Sequence, residues 1–123
     1  MSKRRPEIDE SRARELLQRE RDRIEASLGD LERTRQSELE EIDTSTDPVD
    51  DSELIMETEV DTALQQQLRV ELAAIERAER RLADGTYGFS IESGEPIPAG
   101  RLEAVPWAER TSEEQERYER SGG

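Results

Sequence analysis

The chain has 123 residues, and its 32 acidic against 18 basic side chains give it a formal charge of −14. It contains no His and no Cys, so it has no imidazole base, thiol nucleophile, disulfide or usual zinc ligand. These numbers argue against a multi-domain protein, an enzyme, and direct binding to nucleic acid or to a membrane surface. Because no apolar run resembles a secretory signal or a membrane helix, we expect a cytoplasmic protein.

Two long segments carry sparse apolar residues at helical spacing. The first spans about residues 7–43, and in the second, about 48–83, Leu68, Ile75 and Leu82 keep a seven-residue step. Because the connection between the segments is short, we predict a mainly α fold: a long antiparallel helical hairpin, or coiled coil, over residues 7–85. Its tip lies at about 43–52, and residues 1–6 form a flexible N-terminus.

The predicted tip is strongly acidic. Residues 36–68 contain eleven acidic and no basic residues. Asp47 before Pro48 is typical of a helix start, and Asp50 and Asp51 favour the positive end of the helix dipole. The wider charge run is either a solvated face or a surface for a positive partner, a metal or a charged channel.

A change of composition after Asp84 and Gly85 predicts a helix stop and then a small turn-rich module at residues 86–110. About 25 residues bury too little surface to fold alone, and such modules normally need a metal or disulfides. Residues 111–123 follow as a C-terminal helix and tail that begins with a capping box, Thr111 to Glu114. The candidate core of the module is aromatic and aliphatic: Tyr87, Phe89, Ile97, Leu102 and Trp107.

Several motifs together resemble the DksA/TraR family of bacterial transcription regulators. They are the tip motif at residues 47–50 and the stretches 85–88, 94–98 and 101–108. The resemblance implies a coiled coil with a small zinc finger and a C-terminal helix at its base. It also implies binding to RNA polymerase, core or holoenzyme, through the secondary channel, where acidic tip residues approach the active site. The implied tip residues are Asp47 and Asp50, followed by Asp51 and by Ser52 where the family favours Ala.

The chain departs from the family at the metal site. The positions that resemble the two Cys-x-x-Cys pairs hold Ser90, Ser93, Thr111 and Glu114. Three hydroxyls and one carboxylate are poor zinc ligands beside thiolates, so we expect a zinc-finger-like module without zinc or any other cofactor. Its shape would then depend on apolar packing, on serine hydroxyls that bond turn amides, and on the helix cap.

A second departure concerns guanosine tetraphosphate, which some family members bind through basic side chains. The matching positions hold Ala74, Val105 and Gln115, so we expect weak or absent dependence on this nucleotide. The predicted function is a monomeric, non-enzymatic regulator that modulates initiation without binding DNA. One alternative is a helical-hairpin adaptor that has lost polymerase regulation. The other is a Gre-like stimulator of transcript cleavage, in which the tip aspartates would hold Mg²⁺.

Overall fold

The structure is a computed structural model that describes the backbone of residues 5–44 and 51–122, and the side chains of 5–37 and 61–122. In these ranges it contains α1 (Glu10–Thr44), α2 (Asp51–Asp84), α3 (Ala99–Ala104) and α4 (Ser112–Arg120). An isolated antiparallel bridge joins Phe89 to Pro96. The predicted mainly helical chain with a helical hairpin is confirmed. None of the described helices is long and apolar enough to cross a membrane.

The chain divides into two compact units, and the division falls within both long helices. Unit one comprises residues 1–21 and 73–123, and unit two comprises residues 22–72. In unit two, Ile24 of α1 and Leu68 of α2 are buried, and Arg23 pairs with Glu71 across the helices at 3.7 Å. This narrow apolar seam between charged faces is typical of a coiled coil.

Unit one holds most of the core. Its buried apolar side chains come from the segment just before α1, from the first turns of α1, from the end of α2 and from the module that follows: Ile8, Ala13, Leu16, Leu17, Ala74, Ile75, Ala78, Tyr87, Ile97, Leu102 and Ala108. The module therefore does not bury a core by itself, because the two long helices supply more than half of the apolar side chains around it.

The helix stop at the end of α2 has the geometry that its sequence predicts. Gly85 has φ of 79°, and the amide of Thr86 donates to the carbonyl of Arg81 at 2.9 Å. The amide of Gly85 donates to the carbonyl of Leu82 at 3.3 Å, which completes a Schellman motif. The motif ends α2 at a defined residue and turns the chain into the module.

The module contains a helix that the sequence analysis did not predict. α3 occupies six residues of the stretch assigned to turns, directly after Pro98. Its N-cap residue provides no side-chain hydrogen bond. Instead the Glu7 carboxylate accepts from the amide of Ala99 at 3.0 Å, so the cap comes from a residue 92 positions earlier in the chain.

Candidate functional site

The four residues at the former metal positions converge on the start of α4. The Thr111 hydroxyl accepts from the Glu114 amide at 3.3 Å, and a Glu114 carboxylate oxygen accepts from the Thr111 amide at 2.9 Å. This reciprocal pair is a complete capping box, as the sequence predicts. The Glu114 residue is only 5% exposed, so its carboxylate points into the module rather than into solvent.

Ser90 and Ser93 organise the loop that faces this helix start. The Ser90 hydroxyl accepts from the amides of Glu92 and Ser93 at 3.1 and 3.2 Å, and the Ser93 hydroxyl accepts from the amide of Glu95 at 3.2 Å. The prediction that these serines bond turn amides is therefore confirmed. Backbone bonds close the turn as well, since the Gly94 amide donates to the Ser90 carbonyl at 3.0 Å.

The Glu114 carboxylate is the electrostatic centre of this group. Its pKa falls from 4.5 to about 2, first because of the hydrogen bond from the Thr111 amide and then because of the neighbouring Ser90 and Ser93 hydroxyls. All four former ligand positions thus lie around one carboxylate, and we call these four residues the Glu114 cluster. Where a metal would join four ligands, a single anion here accepts from the Thr111 amide and lies beside the two serine hydroxyls.

The Glu114 cluster does not fit a zinc ion. Zinc sites use thiolate, imidazole or carboxylate ligands, and only one of these four side chains belongs to those classes. That carboxylate is already the acceptor for the capping amide of Thr111. Within the described residues, no group of three or more His, Cys, Asp or Glu side chains could hold a metal ion.

The predicted core residues of the module differ in burial. Tyr87, Ile97 and Leu102 are buried, whereas Phe89 and Trp107 are only partly buried. The Tyr87 hydroxyl donates to the carbonyl of Pro106 at 2.7 Å, and burial raises the pKa of this tyrosine to about 12. Tyr87 therefore remains a neutral donor that joins the start of the module to its end.

Glu109 attaches the module to the end of α2, which the sequence analysis did not predict. Its carboxylate accepts from Arg77 at 2.7 Å and from Arg81 at 3.0 Å, while its carbonyl accepts from the Ile91 amide at 2.9 Å. Burial opposes ionisation of Glu109, but the two arginines outweigh it and hold the pKa of the carboxyl below its usual range. Arg77 and Arg81 lie 32 and 28 positions before Glu109 in the sequence, so only the tertiary structure shows that these residues meet.

The N-terminal segment contacts the module at three points. Besides the cap that Glu7 gives to α3, Arg12 makes a two-point hydrogen bond to Glu103 at 3.0 and 2.9 Å. Pro6 lies against Gly88, where a Cβ would overlap the Cβ of Pro6. Gly88 also has φ of 90°, a conformation that side chains other than glycine rarely adopt. Residues 6–12 thus contact the module within unit one. The flexible N-terminus predicted for residues 1–6 falls mostly on residues 1–4, which lie outside the described residues.

The candidate tip residues cannot be placed in the same way. Asp47 and Asp50 lie outside the described residues. Asp51 and Ser52 form the first turn of α2, and their side chains are not described. The structure therefore brings together the former metal positions, while the role of the tip remains a prediction.

Residues 85–120 match the family described as the prokaryotic dksA/traR C4-type zinc finger. A 49-residue stretch is 51% identical to the RNA polymerase-binding transcription factor DksA of Caulobacter vibrioides and covers 40% of this chain and 34% of that protein. A 66-residue stretch is 38% identical to general stress protein 16O of Bacillus subtilis and covers 54% of this chain and 40% of that protein. The matched stretches thus span well under half the length of these curated relatives.

A solved structure extends the likeness over almost the whole chain. Transcription factor DksA2 from Pseudomonas aeruginosa superposes with a TM-score of 0.74 at 29% identity, and the match covers 92% of this chain and 84% of that chain. Together with the finger match, this result shows that the chain is similar in fold to a DksA-type transcription factor and, over residues 85–120, to the dksA/traR finger family. It differs from a C4-type finger in having no cysteine at all.

Proposed function

We propose that this protein is a regulator that binds bacterial RNA polymerase and modulates initiation with a finger that needs no zinc. The observation that carries the proposal is the fold match to DksA2 over 92% of the chain, including the module. The Caulobacter relative is named as an RNA polymerase-binding transcription factor, and its matched stretch is 51% identical. Polymerase is therefore the partner that this fold favours.

The charge of the chain supports action through protein contacts rather than through DNA. A net charge of −14 repels a phosphate backbone, and no basic residue lies between Arg35 and Arg69. In the proposed mechanism the hairpin enters the secondary channel, and Asp47 and Asp50 act near the polymerase active site. The protein itself contributes no catalytic group, and it acts as a monomer.

The Glu114 cluster supports the zinc-free part of the proposal. A finger that binds a partner in one defined orientation must hold its loops and α4 in a fixed arrangement. Here the Ser90–Ser93 turn and the start of α4 lie around one carboxylate instead of a metal. Because no thiolate takes part, we expect regulation to survive mild peroxide and zinc starvation.

The test uses the full chain and core RNA polymerase from the same bacterium. Binding is measured by fluorescence anisotropy or surface plasmon resonance at physiological salt, and regulation is measured as open-complex lifetime. The effector variant is Asp47→Ala with Asp50→Ala. The control is Glu116→Ala with Glu119→Ala on α4, which removes the same charge from exposed positions.

We expect the tip variant to bind within about twofold of the parent chain and to lose its effect on open complexes. The control should retain both properties. If the parent chain does not bind polymerase, the proposal is wrong and an adaptor for another partner becomes the better interpretation. Stimulated cleavage of a backtracked transcript that depends on the tip would instead favour the Gre-like alternative.

A further inference from the structure

An aliphatic side chain is displayed on the surface of the module beside the Glu114 cluster. Ile91 is 52% exposed, the highest value among the large apolar side chains in the described part of unit one. It lies between the two former ligand positions Ser90 and Ser93. A single exposed isoleucine needs no explanation by itself, so its surroundings decide whether it matters.

The loop that carries Ile91 is held in place on both sides. The Ile91 amide donates to the Glu109 carbonyl at 2.9 Å, and the preceding Ser90 amide donates to the Glu95 carbonyl at 2.8 Å. The next two amides both donate to the Ser90 hydroxyl. A side chain presented by such a loop loses little backbone freedom when it binds, which lowers the entropic cost of an interface.

Ile91 borders an open groove of about 680 Å³ in unit one. Ile91 and the partly buried Phe89 form its apolar part, and Gly85, Thr86 and Gly94 add backbone and small side chains. A groove whose lining includes an exposed aliphatic residue on a hydrogen-bonded loop can receive a protruding apolar side chain of a partner protein.

The charges around the groove indicate which residues would lie next to that partner side chain. Arg81 contributes a largely buried guanidinium that is bonded to Glu109, so its charge is balanced inside the protein. Asp84 is exposed and has no ion pair among the described residues. The accessible charge of the groove is therefore negative, and it complements Lys or Arg.

Asp84 also occupies an unfavourable position for the fold. It is the last residue of α2, where the negative end of the helix dipole repels an acidic side chain. Removal of its charge should therefore leave stability unchanged or slightly higher. A loss of binding in the same variant would separate a contact role from a folding role.

We propose that the groove between Ile91 and Asp84 is a second contact with RNA polymerase. It accepts a protruding aliphatic or aromatic side chain of the polymerase, and a Lys or Arg lies next to that residue in the polymerase sequence. This inference rests on the proposed function, because it assigns a further surface to the same partner. It is separate from the tip motif at residues 47–50, because its groove variants change only residues 84 and 91.

The test compares four variants of the full chain in polymerase binding. Ile91→Ala removes the aliphatic contact, and Ile91→Val keeps most of it. Asp84→Asn removes the accessible charge of the groove. Glu116→Gln removes one exposed charge from α4 and serves as the matched control. Thermal unfolding of each variant is measured in parallel to confirm that it folds.

We expect Ile91→Ala to weaken binding about tenfold, which corresponds to about 1.4 kcal/mol. Ile91→Val and Glu116→Gln should bind within about twofold of the parent chain. Asp84→Asn should weaken binding several-fold, mainly through slower association, and should reduce the dependence of binding on salt. A photoreactive residue at position 91 should crosslink to a polymerase segment that contains Lys or Arg.

Two results separate this inference from the proposed function. If the parent chain binds polymerase and both Ile91→Ala and Asp84→Asn bind equally well, the groove is not a contact and the inference is wrong. If the parent chain does not bind polymerase at all, the proposed function fails first. Equal weakening by Ile91→Ala and Glu116→Gln would also overturn the assignment, because the effect would not be specific to the groove.

Discussion

Replacement of Glu114 by Ala tests whether one carboxylate carries the structural role of a metal. The substitution removes at once the acceptor of the Thr111 amide and the negative charge beside the Ser90 and Ser93 hydroxyls. The charged hydrogen bond from the Thr111 amide, which is half of the capping box, contributes about 1.5–3 kcal/mol, and loss of the negative charge beside the two serine hydroxyls adds roughly 0.5–1 kcal/mol. We therefore expect the free energy of unfolding to fall by about 2–4 kcal/mol.

The loss should be large relative to the stability of a small domain, which is about 5–15 kcal/mol. Urea unfolding followed by the fluorescence of Trp107 measures it, since this tryptophan lies in the module and is the only one in the chain. Glu113→Ala is the matched control, because Glu113 is the preceding exposed residue in the same helix turn. Glu113→Ala should lower the free energy of unfolding by no more than about 0.5 kcal/mol.

Glu114→Gln refines the same test. Glutamine keeps one carbonyl acceptor for the Thr111 amide but removes the charge, so we expect a loss of about 1 kcal/mol. If Glu114→Ala differs from Glu113→Ala by less than about 0.5 kcal/mol, the carboxylate does not hold the module together and the argument from the Glu114 cluster is refuted.

Four further predictions follow from the same contacts. The folded-state pKa of Glu114, about 2, lies below its unfolded value near 4.5, so its stabilisation is complete above about pH 5 and is lost as the pH falls toward 2; urea titrations of the parent chain and Glu114→Gln should converge over that range. Gly88→Ala should destabilise by about 2–4 kcal/mol in thermal unfolding, because of its positive φ and the overlap with Pro6; deletion of residues 2–6 should recover only the steric part. Glu7→Gln should increase hydrogen exchange at the Ala99 amide and in the rest of α3, whereas Glu10→Gln, which breaks an exposed pair within α1, should not. Chelator should not lower the thermal midpoint, and mass spectrometry of purified protein should find far less than one zinc per chain; a stoichiometric zinc content would contradict the Glu114 cluster.

The long helices were predictable because their signals are local. Apolar residues at helical spacing define α1 and α2, and the structure begins and ends them within about three residues of the predicted bounds. The stop at Gly85 and the cap at Thr111 were equally readable, since each depends on a few consecutive residues. The contacts of Ser90 and Ser93 with turn amides belong to the same class.

Contacts between distant residues were not predictable in this way. α3 has a weak sequence signal, with Gly100 inside and Pro98 before it, and it is capped by Glu7 from the opposite end of the chain. Likewise, nothing in the spacing of Arg77, Arg81 and Glu109 indicates that they meet. Such pairs depend on the packing of the module against α1 and α2, because that packing brings residues tens of positions apart within hydrogen-bond distance.

The sequence alone determined that this protein has a helical hairpin, an acidic middle segment, and a finger-like module without thiols. These properties follow from composition and short-range spacing, which act before any tertiary contact forms. Only the tertiary structure decided what replaces the metal. A carboxylate can take the place of a metal with four thiolates only where folding places Ser90, Ser93 and Thr111 around Glu114 and buries Ser90 and Glu114.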